Sequence, residues 1–269
     1  MNYIEVEPGV RIFVEDINPG GSKTVLWIHG WPLNHQTFEY QYDMLPRNGV
    51  RCVGIDLRGY GNSSKPWSGY GYDRMADDIR VVVDAMGLNN FTLAGHSMGG
   101  AIAIRYMARH NGYRVGRLAL LAAAAPSFTQ RPGYPYGMTR QQVDMFIANT
   151  QKNRPQVLET FGELFFARPV TTSFMDWFRG TGLQAAGYAT IKGLEALRDE
   201  ALFDDLGRIH APTGIFHGVL DRVCPYQFAL ELQKGIEGSL LYRFDGSGHA
   251  IYYDELDRFN NTFLKFLGH

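Results

Sequence analysis

Short apolar runs and amphipathic segments alternate along most of this chain. Two runs with period-two alternation, residues 3–6 and 11–15, flank a Pro8-Gly9 turn and predict an antiparallel hairpin at a sheet edge. The continuous apolar runs that follow are of the kind buried on both faces of a parallel sheet. They predict strands at residues 24–28, 51–55, 91–94, 117–121, 213–216 and 240–244.

Helical periodicity occupies most of the gaps between these runs. It predicts helices at residues 37–47, 73–86, 99–110, 226–234 and 255–267. Strands that alternate with helices in this way form a mostly parallel sheet with helices on both faces. The pattern therefore predicts the α/β class with a doubly wound sheet.

The alternation of strands and helices stops between Pro126 and about His210. The amphipathic segments of this stretch are separated by Arg-Pro and Gly breaks, which predicts an all-helical insertion. They lie at residues 140–149, 155–166 and 171–178. The predicted organisation is an α/β core made of residues 1–126 and 211–269, with a helical insertion at 127–210.

Composition and charge narrow the range of partners. The chain has 269 residues and is 45% hydrophobic, so one large domain can bury a full core. Its 26 basic and 27 acidic residues give a net charge of −1, which provides no attraction for nucleic acid or an anionic membrane. No basic and apolar leader is visible, and the longest apolar run, residues 118–126, is too short to cross a bilayer. We expect a cytoplasmic protein that acts on a small molecule.

The strongest chemical signal is Gly95-His96-Ser97-Met98-Gly99, a G-x-S-x-G segment between a predicted strand and a predicted helix. This is the context of a nucleophile elbow, a sharp turn that lifts the serine hydroxyl clear of the backbone. The glycines allow the strained turn and the close packing of the helix. Ser97 is therefore the predicted nucleophile, whereas Ser63 and Ser64 lack this context and are predicted to be loop residues.

A serine hydroxyl needs a neighbouring base and an acid that orients this base. His249 follows the last predicted strand in a glycine-bounded loop and is the predicted base. Asp221, after the penultimate strand, is the predicted acid, because an elbow serine, its acid and its histidine occur in the chain order Ser97, Asp221, His249. Asp245 is the alternative acid, since it lies just after the last strand and close to His249 in sequence.

Hydrolysis also requires hydrogen-bond donors for the negatively charged tetrahedral intermediate. The backbone N–H of Met98, directly after the nucleophile, is one predicted donor. The other is the backbone N–H of Trp31, in the loop that follows the strand at 24–28. Pro32, the next residue, has no N–H to donate.

The remaining histidines and the two cysteines are predicted to be structural. His96 should point away from Ser97, while His29 and His217 end strands and should brace turns. The other histidines are predicted at the surface or in loops: His35, His110, His210 and His269. Cys52 and Cys224 lack metal-ligand spacing and are predicted to be reduced core residues. No metal or organic cofactor is expected.

Several segments together resemble the α/β-hydrolase fold family across nearly the whole chain. They are His29-Gly30-Trp31-Pro32-Leu33, Asp56-Leu57-Arg58-Gly59-Tyr60-Gly61-Asn62-Ser63, Gly95-His96-Ser97-Met98-Gly99-Gly100, His217-Gly218 with Asp221, and Gly248-His249. Within that family the chain resembles the branch of cofactor-free haloperoxidases, perhydrolases, aryl esterases and γ-lactamases. The resemblance implies triad roles for Ser97, Asp221 and His249, a cap over the acyl pocket for the insertion, and a bracing role for Asp56 and Arg58.

The resemblance implies a serine hydrolase of small acyl or aryl esters, with γ-lactam hydrolysis and peracid formation from hydrogen peroxide as related activities. Haloalkane dehalogenases and most epoxide hydrolases carry aspartate where this chain has Ser97, and prolyl iminopeptidases carry Trp where it has Met98. Two alternatives stay open: a carbon–carbon bond hydrolase of aromatic degradation, in which Gly-His-Ser-Met-Gly also occurs, and a ligand receptor on a hydrolase scaffold. The candidates for shaping the acyl pocket are Phe128, Phe146, Phe161, Phe165 and Phe166.

Overall fold

Eight strands form one sheet in the computed structural model, which describes residues 2–268. The strands are β1 (Tyr3–Glu7), β2 (Val10–Ile17), β3 (Lys23–Ile28), β4 (Val50–Ile55), β5 (Phe91–His96), β6 (Val115–Leu121), β7 (Thr213–Gly218) and β8 (Leu240–Phe244). Their order across the sheet is β1-β2-β4-β3-β5-β6-β7-β8. Met1 and His269, the two ends of the predicted core, lie outside the described residues.

The hairpin of β1 and β2 is antiparallel and joins β4 in antiparallel fashion, whereas β3 to β8 pair in parallel. The predicted edge hairpin and the doubly wound α/β sheet are confirmed. Every predicted strand is present, with ends that differ by at most two residues. The central strands are those with continuous apolar runs, because both of their faces are covered: Leu26, Trp27 and Ile28 of β3 have no exposed surface.

Helices cover the sheet and form most of the segment between β6 and β7, in which residues 122–139 are not helical and contain two isolated β-bridges. Within residues 2–268 they are a 3₁₀ helix (His35–Phe38), α1 (Glu39–Arg47), α2 (Tyr72–Ala85), α3 (Met98–Arg109), α4 (Arg140–Phe165), α5 (Thr172–Leu183), α6 (Gly187–Asp199), α7 (Phe203–Leu206), α8 (Gln227–Gly235), α9 (Ile251–Asp254) and α10 (Leu256–Leu267). Beside the sheet, α1 packs against α10 and α2 packs against α3. None of these helices is long and apolar enough to cross a bilayer.

Helix α4 joins two segments that the sequence predicts as separate helices. Its axis is broken at Asn153, whose backbone (φ −153°, ψ 75°) is not helical. Pro155 explains the break, since proline removes a helical hydrogen bond and clashes with the turn before it. The helix begins with a capping box, in which Thr139 Oγ1 accepts from the Gln142 N–H and Gln142 Oε1 accepts from the Thr139 N–H.

The prediction that His35 lies at the surface or in a loop is wrong. The residue is only 3% exposed and lies in the 3₁₀ helix. Its Nδ1 is 2.6 Å from Asp56 Oδ1, and its Nε2 is 2.8 Å from Glu15 Oε2. Both carboxylates come from other strands or loops, so a local sequence pattern does not reveal these partners.

Candidate active site

The predicted nucleophile, base and acid and the predicted donor Trp31 follow parallel strands at the end where each strand stops. Trp31 follows β3, Ser97 follows β5, Asp221 follows β7 and His249 follows β8. In an open α/β sheet, ligands bind in the crevice outside the carboxyl ends of the strands. The topology therefore collects these four residues at one edge of the sheet.

Ser97 occupies a strained turn between β5 and α3. Its backbone angles are φ 54° and ψ −121°, a region that non-glycine residues rarely adopt. The surrounding structure holds it there, because the Ser97 N–H donates to Leu121 O at 3.0 Å and the Ser97 C=O accepts from Ala124 N–H at 2.9 Å. The residue is 6% exposed.

Two glycines allow neighbouring segments to approach this turn. A Cβ at Gly99 would overlap the carbonyl oxygens of Ile28 and His29, and a Cβ at Gly30 would lie 2.7 Å from Ser97 Cβ. Such distances are shorter than side-chain carbons tolerate. Helix α3 and the loop after β3 can therefore pack against the serine only because these positions lack side chains.

His249 and Asp221 form a buried hydrogen-bonded pair. His249 Nδ1 lies 2.8 Å from Asp221 Oδ2, and both side chains have no exposed surface. An ionised carboxylate only accepts hydrogen bonds, so Nδ1 carries the proton and Nε2 keeps the free lone pair. His249 Nε2 is buried and has no hydrogen-bond partner within residues 2–268. It is therefore not hydrogen-bonded to Ser97 Oγ in this structure. Serine–histidine contacts are often long without substrate and tighten when it binds.

Asp221 is built to remain ionised. Burial raises its pKa, but the charges and hydrogen bonds of His249 and His217 lower it by more, so the net pKa lies well below the usual aspartate range. Its other oxygen, Oδ1, accepts from the N–H groups of Val223 and Cys224, each at 2.8 Å. The negative charge is thus distributed over several fixed donors.

The alternative acid, Asp245, faces away from the imidazole. Its side chain is 62% exposed and lies 2.7 Å from the Arg243 guanidinium. The single protonated nitrogen of His249 is already taken by Asp221. The geometry therefore favours Asp221 over Asp245 as the residue that orients His249.

Cys224 lies beside the serine, a contact that sequence reasoning missed. Burial and the charge of Asp221 raise the pKa of the Cys224 thiol well above its usual value, and the nearby Ser97 hydroxyl lowers it by less. The only sequence signal is its position three residues after Asp221. Cys224 and Cys52 are both buried free thiols, which confirms the prediction of reduced core residues.

A cavity of about 420 Å³ opens next to Ser97 and Trp31. Both limbs of the kinked helix α4 contribute to its wall, which is mostly apolar. The residues of α4 that line it are Gln142, Met145, Phe146, Asn149, Thr160, Phe161 and Leu164. Arg222 is the one lining residue with a charged side chain among those described. The dimensions and lining suit a small, largely apolar ligand.

The five phenylalanines proposed as pocket residues fall into two groups. Phe128, Phe146 and Phe161 line the cavity. Phe165 instead packs edge-on against His249, with ring centroids 4.9 Å apart, and Phe166 packs against Phe165. The second pair thus supports the imidazole from the side of α4.

The two predicted backbone donors lie at the start of α3 and in the loop after β3. Met98 is the first residue of α3, so its N–H has no acceptor within the helix and lies at the positive end of the helix dipole. Trp31 lines the cavity, and its indole Nε1 donates to Thr190 O of α6 at 2.8 Å. That contact fixes the loop after β3 against the segment between β6 and β7.

The neighbouring histidines make backbone contacts. His29 Nε2 accepts from the Leu57 N–H at 2.9 Å, and burial lowers the pKa of His29 to about 4, so it stays neutral. His217 Nε2 donates to Cys224 O at 2.8 Å. Both rings thereby brace the loops after β3 and β7, as the sequence predicts.

Comparison with known proteins agrees with this architecture. Residues 23–256 match a family described as alpha/beta hydrolase fold. The chain is 49% identical, over 98% of both chains, to the AB hydrolase superfamily protein YisY of Bacillus subtilis. It is 33% identical to a putative non-heme chloroperoxidase of Synechocystis, over 96% of this chain and 95% of that protein. An esterase from Exiguobacterium antarcticum superimposes with a TM-score of 0.97 and 44% identity, over 100% of this chain and 99% of that one.

Proposed function

Because the chain belongs to the α/β-hydrolase fold family, in its haloperoxidase and esterase branch, we propose that it is a serine hydrolase of small carboxylic esters. The observation that carries this proposal is the buried pair of His249 and Asp221 at the sheet edge where Ser97 is held in a strained turn. A base, an orienting acid and a raised hydroxyl are the groups that acyl transfer requires.

In the acylation step, Ser97 Oγ attacks the ester carbonyl carbon while His249 Nε2 takes the hydroxyl proton. His249 is then a cation, with one proton on each ring nitrogen, and the ionised Asp221 stabilises it. The tetrahedral intermediate collapses when His249 returns a proton to the leaving alcohol. The products of this step are the free alcohol and an acyl group on Ser97.

The oxygen of the tetrahedral intermediate carries the developing negative charge. We assign the N–H groups of Met98 and Trp31 as its donors, since Met98 directly follows Ser97 in the chain and Trp31 lines the same cavity as Ser97. Water resolves the acyl enzyme with His249 as the general base. Where hydrogen peroxide replaces water, the product is a peracid, and an amide such as a γ-lactam enters the same sequence with nitrogen as the leaving group.

The cavity favours small acyl or aryl groups. Its volume of about 420 Å³ is at the low end for ligand sites, and its wall is mostly apolar. We propose that residues 127–210 act as the cap over this pocket and that residues 1–126 and 211–269 form the catalytic core. The contribution of α4 residues to the wall supports this division.

The test is hydrolysis of p-nitrophenyl butyrate by the parent, Ser97→Ala and Ser64→Ala, each with a chelator present. We expect turnover by the parent and by Ser64→Ala, and a loss of about 10⁶-fold in kcat for Ser97→Ala. Mass spectrometry after treatment with a sulfonyl fluoride should find the label on Ser97. Equal turnover by Ser97→Ala and the parent would refute the proposal, and a folded parent without ester turnover would favour a carbon–carbon bond hydrolase or a receptor.

A further inference from the structure

The loop that carries His249 is attached to the C-terminal end of helix α4. The N–H groups of His249 and Ala250 both donate to the Phe165 carbonyl, at 2.9 and 3.1 Å. Phe165 is the last residue of α4, so its carbonyl oxygen accepts no hydrogen bond from within the helix. It is free to accept hydrogen bonds from the histidine loop. The N–H groups of His249 and Ala250 are thus bound by the segment between β6 and β7.

Asp254 provides a second attachment between the same two segments. Its Oδ2 accepts from the Gly248 N–H at 2.7 Å and from the Ala167 N–H at 3.0 Å. Gly248 immediately precedes His249, and Ala167 lies two residues after the end of α4. One carboxylate oxygen therefore joins the histidine loop to the chain that leaves α4.

The remaining backbone group of His249 is also fixed. His96 Nε2 lies 3.1 Å from the His249 carbonyl, and burial lowers the pKa of His96 well below its usual value, so the neutral ring donates its Nε2 proton. At Gly248 a Cβ would lie 2.9 Å from Ala167 N, so the two segments are in close contact. Together these contacts restrain the peptide groups on both sides of His249.

Such restraint matters because residues 246–248 read Gly-Ser-Gly and have little conformational preference of their own. Glu255 secures the first part of this stretch, since its Oε2 accepts from Gly246 N–H at 2.9 Å and from Ser247 Oγ at 2.8 Å. Asp254 secures the part next to the imidazole. Glu255 therefore binds Gly246 and Ser247, and Asp254 binds Gly248.

We propose that Asp254 is a positioning residue for His249, which it holds in register with Ser97 by joining Gly248 to Ala167. This inference rests on the proposed serine-hydrolase function. Asp254 acts through the loop backbone: its hydrogen bonds go to the two N–H groups named above. A displacement of about 1 Å in a catalytic group costs up to about 10²-fold in rate, so the loss of this bridge should lower kcat rather than weaken substrate binding.

The test compares Asp254→Ala, Asp254→Asn and the matched control Asp257→Ala in p-nitrophenyl butyrate hydrolysis. Asp257 is an exposed acidic residue near Asp254, in the first turn of α10. We expect Asp254→Ala to lose about tenfold or more in kcat with little change in KM. Asparagine keeps an oxygen that can accept both hydrogen bonds, so Asp254→Asn should stay within about threefold of the parent. Asp257→Ala should match the parent.

Unchanged kcat in a folded Asp254→Ala protein would overturn the inference. Equal losses in Asp254→Ala and Asp254→Asn would also overturn it, because the bridge needs an acceptor oxygen and not a charge. If Asp254→Ala does not fold, Asp254→Ser replaces it, since the shorter side chain cannot span both N–H groups. Ser97→Ala in the same assay separates the two proposals: it must be inactive for the proposed function to stand, whatever Asp254 does.

Discussion

The charge on Asp221 sets the tautomer of His249, which gives a sharp prediction at the level of a single atom. Asp221→Asn keeps an oxygen for the Val223 and Cys224 N–H groups but offers the imidazole an amide that can donate. His249 then adopts the wrong tautomer, and we expect kcat to fall by about 10⁴-fold, as it does when the orienting acid of a serine triad becomes an amide. Stopped assays with p-nitrophenyl butyrate measure this loss.

Asp245→Asn is the matched control for that substitution. Asp245 is an exposed aspartate paired with Arg243, and it lies closer to His249 in sequence than Asp221 does. We expect its kcat and KM to stay within about twofold of the parent, since a solvent-exposed ion pair contributes little. A large loss at Asp245 together with a small loss at Asp221 would reverse the assignment of the acid.

Gly99 illustrates how closely the helix approaches the sheet at the serine. A Cβ there would overlap the carbonyl oxygens of Ile28 and His29. We expect Gly99→Ala to lower the free energy of unfolding by about 1–3 kcal/mol, the usual cost of overpacking. Gly180→Ala, within α5 and with open space around it, should instead raise it by about 0.4–1 kcal/mol. Urea denaturation of the three proteins decides whether close packing is the cause.

Single residues were predictable where a backbone motif surrounds them and not where a partner is distant in sequence. Ser97 follows from its glycines and from the strand-to-helix context. Cys224 and Asp254 carry no such motif, because their roles depend on contacts that only the folded chain creates. The prediction of a surface or loop position for His35 is wrong for the same reason, since its carboxylate partner Asp56 lies 21 residues away.

At the level of elements, the sequence predicts the strands better than the helices of the insertion. Apolar runs identify β3 to β8 because a parallel strand is buried on both faces. The two predicted segments at 140–149 and 155–166 are a single element, α4, bent at Asn153. Pro155 predicts the break, but nothing in the local sequence predicts that the parts of α4 on both sides of the break line the same cavity. The bend places residues from both limbs at the wall beside Ser97.

The start of α4 gives the prediction that belongs to this scale. Thr139→Ala removes the hydroxyl that accepts from the Gln142 N–H, while leaving the reciprocal bond from Gln142. We expect the free energy of unfolding to fall by about 1 kcal/mol, the typical cost of losing an N-cap. The measurement is urea denaturation, with exposed Thr172→Ala as the control. Because Gln142 lines the cavity, KM for p-nitrophenyl butyrate should rise more in Thr139→Ala than in the control.

The whole molecule depends on pairings that chain order does not contain. β3 lies between β4 and β5 in the sheet. The chain therefore crosses from β3 to β4 on one side and then from β4 to β5 on the other side, which reverses the direction of the connections. This reversal opens the crevice in which the serine and the loop after β3 meet. Local sequence patterns predict the strands and helices, and the chain order of Ser97, Asp221 and His249 matches the fold family. No local pattern predicts the order of the strands in the sheet, which is implied only by the family resemblance.

The ion pair of His35 and Asp56 ties the 3₁₀ helix to the loop after β4 and should make global stability depend on pH. Burial lowers the pKa of His35, but the hydrogen bond and charge of Asp56 and the contribution of Glu15 raise it by more, to a net value above 6.5. Burial raises the pKa of Asp56, and His35 lowers it by more, to a net value below 3.8. Asp56 Oδ2 also accepts from the Asn62 N–H at 2.7 Å.

The sign of the effect follows from these directions. Folding raises the pKa of His35, so this histidine adds stability that is complete below pH 6.5 and is lost as the pH rises through the folded pKa. Folding lowers the pKa of Asp56, so this aspartate adds stability that is lost as the pH falls through its folded pKa. We therefore expect His35→Gln to be less stable than the parent by the widest margin near pH 5–6, and by a smaller margin near pH 9. Urea denaturation at both pH values measures the margin, with exposed His210→Gln as the control. A margin that is constant with pH would show that the hydrogen bonds of His35, and not its charge, hold this loop.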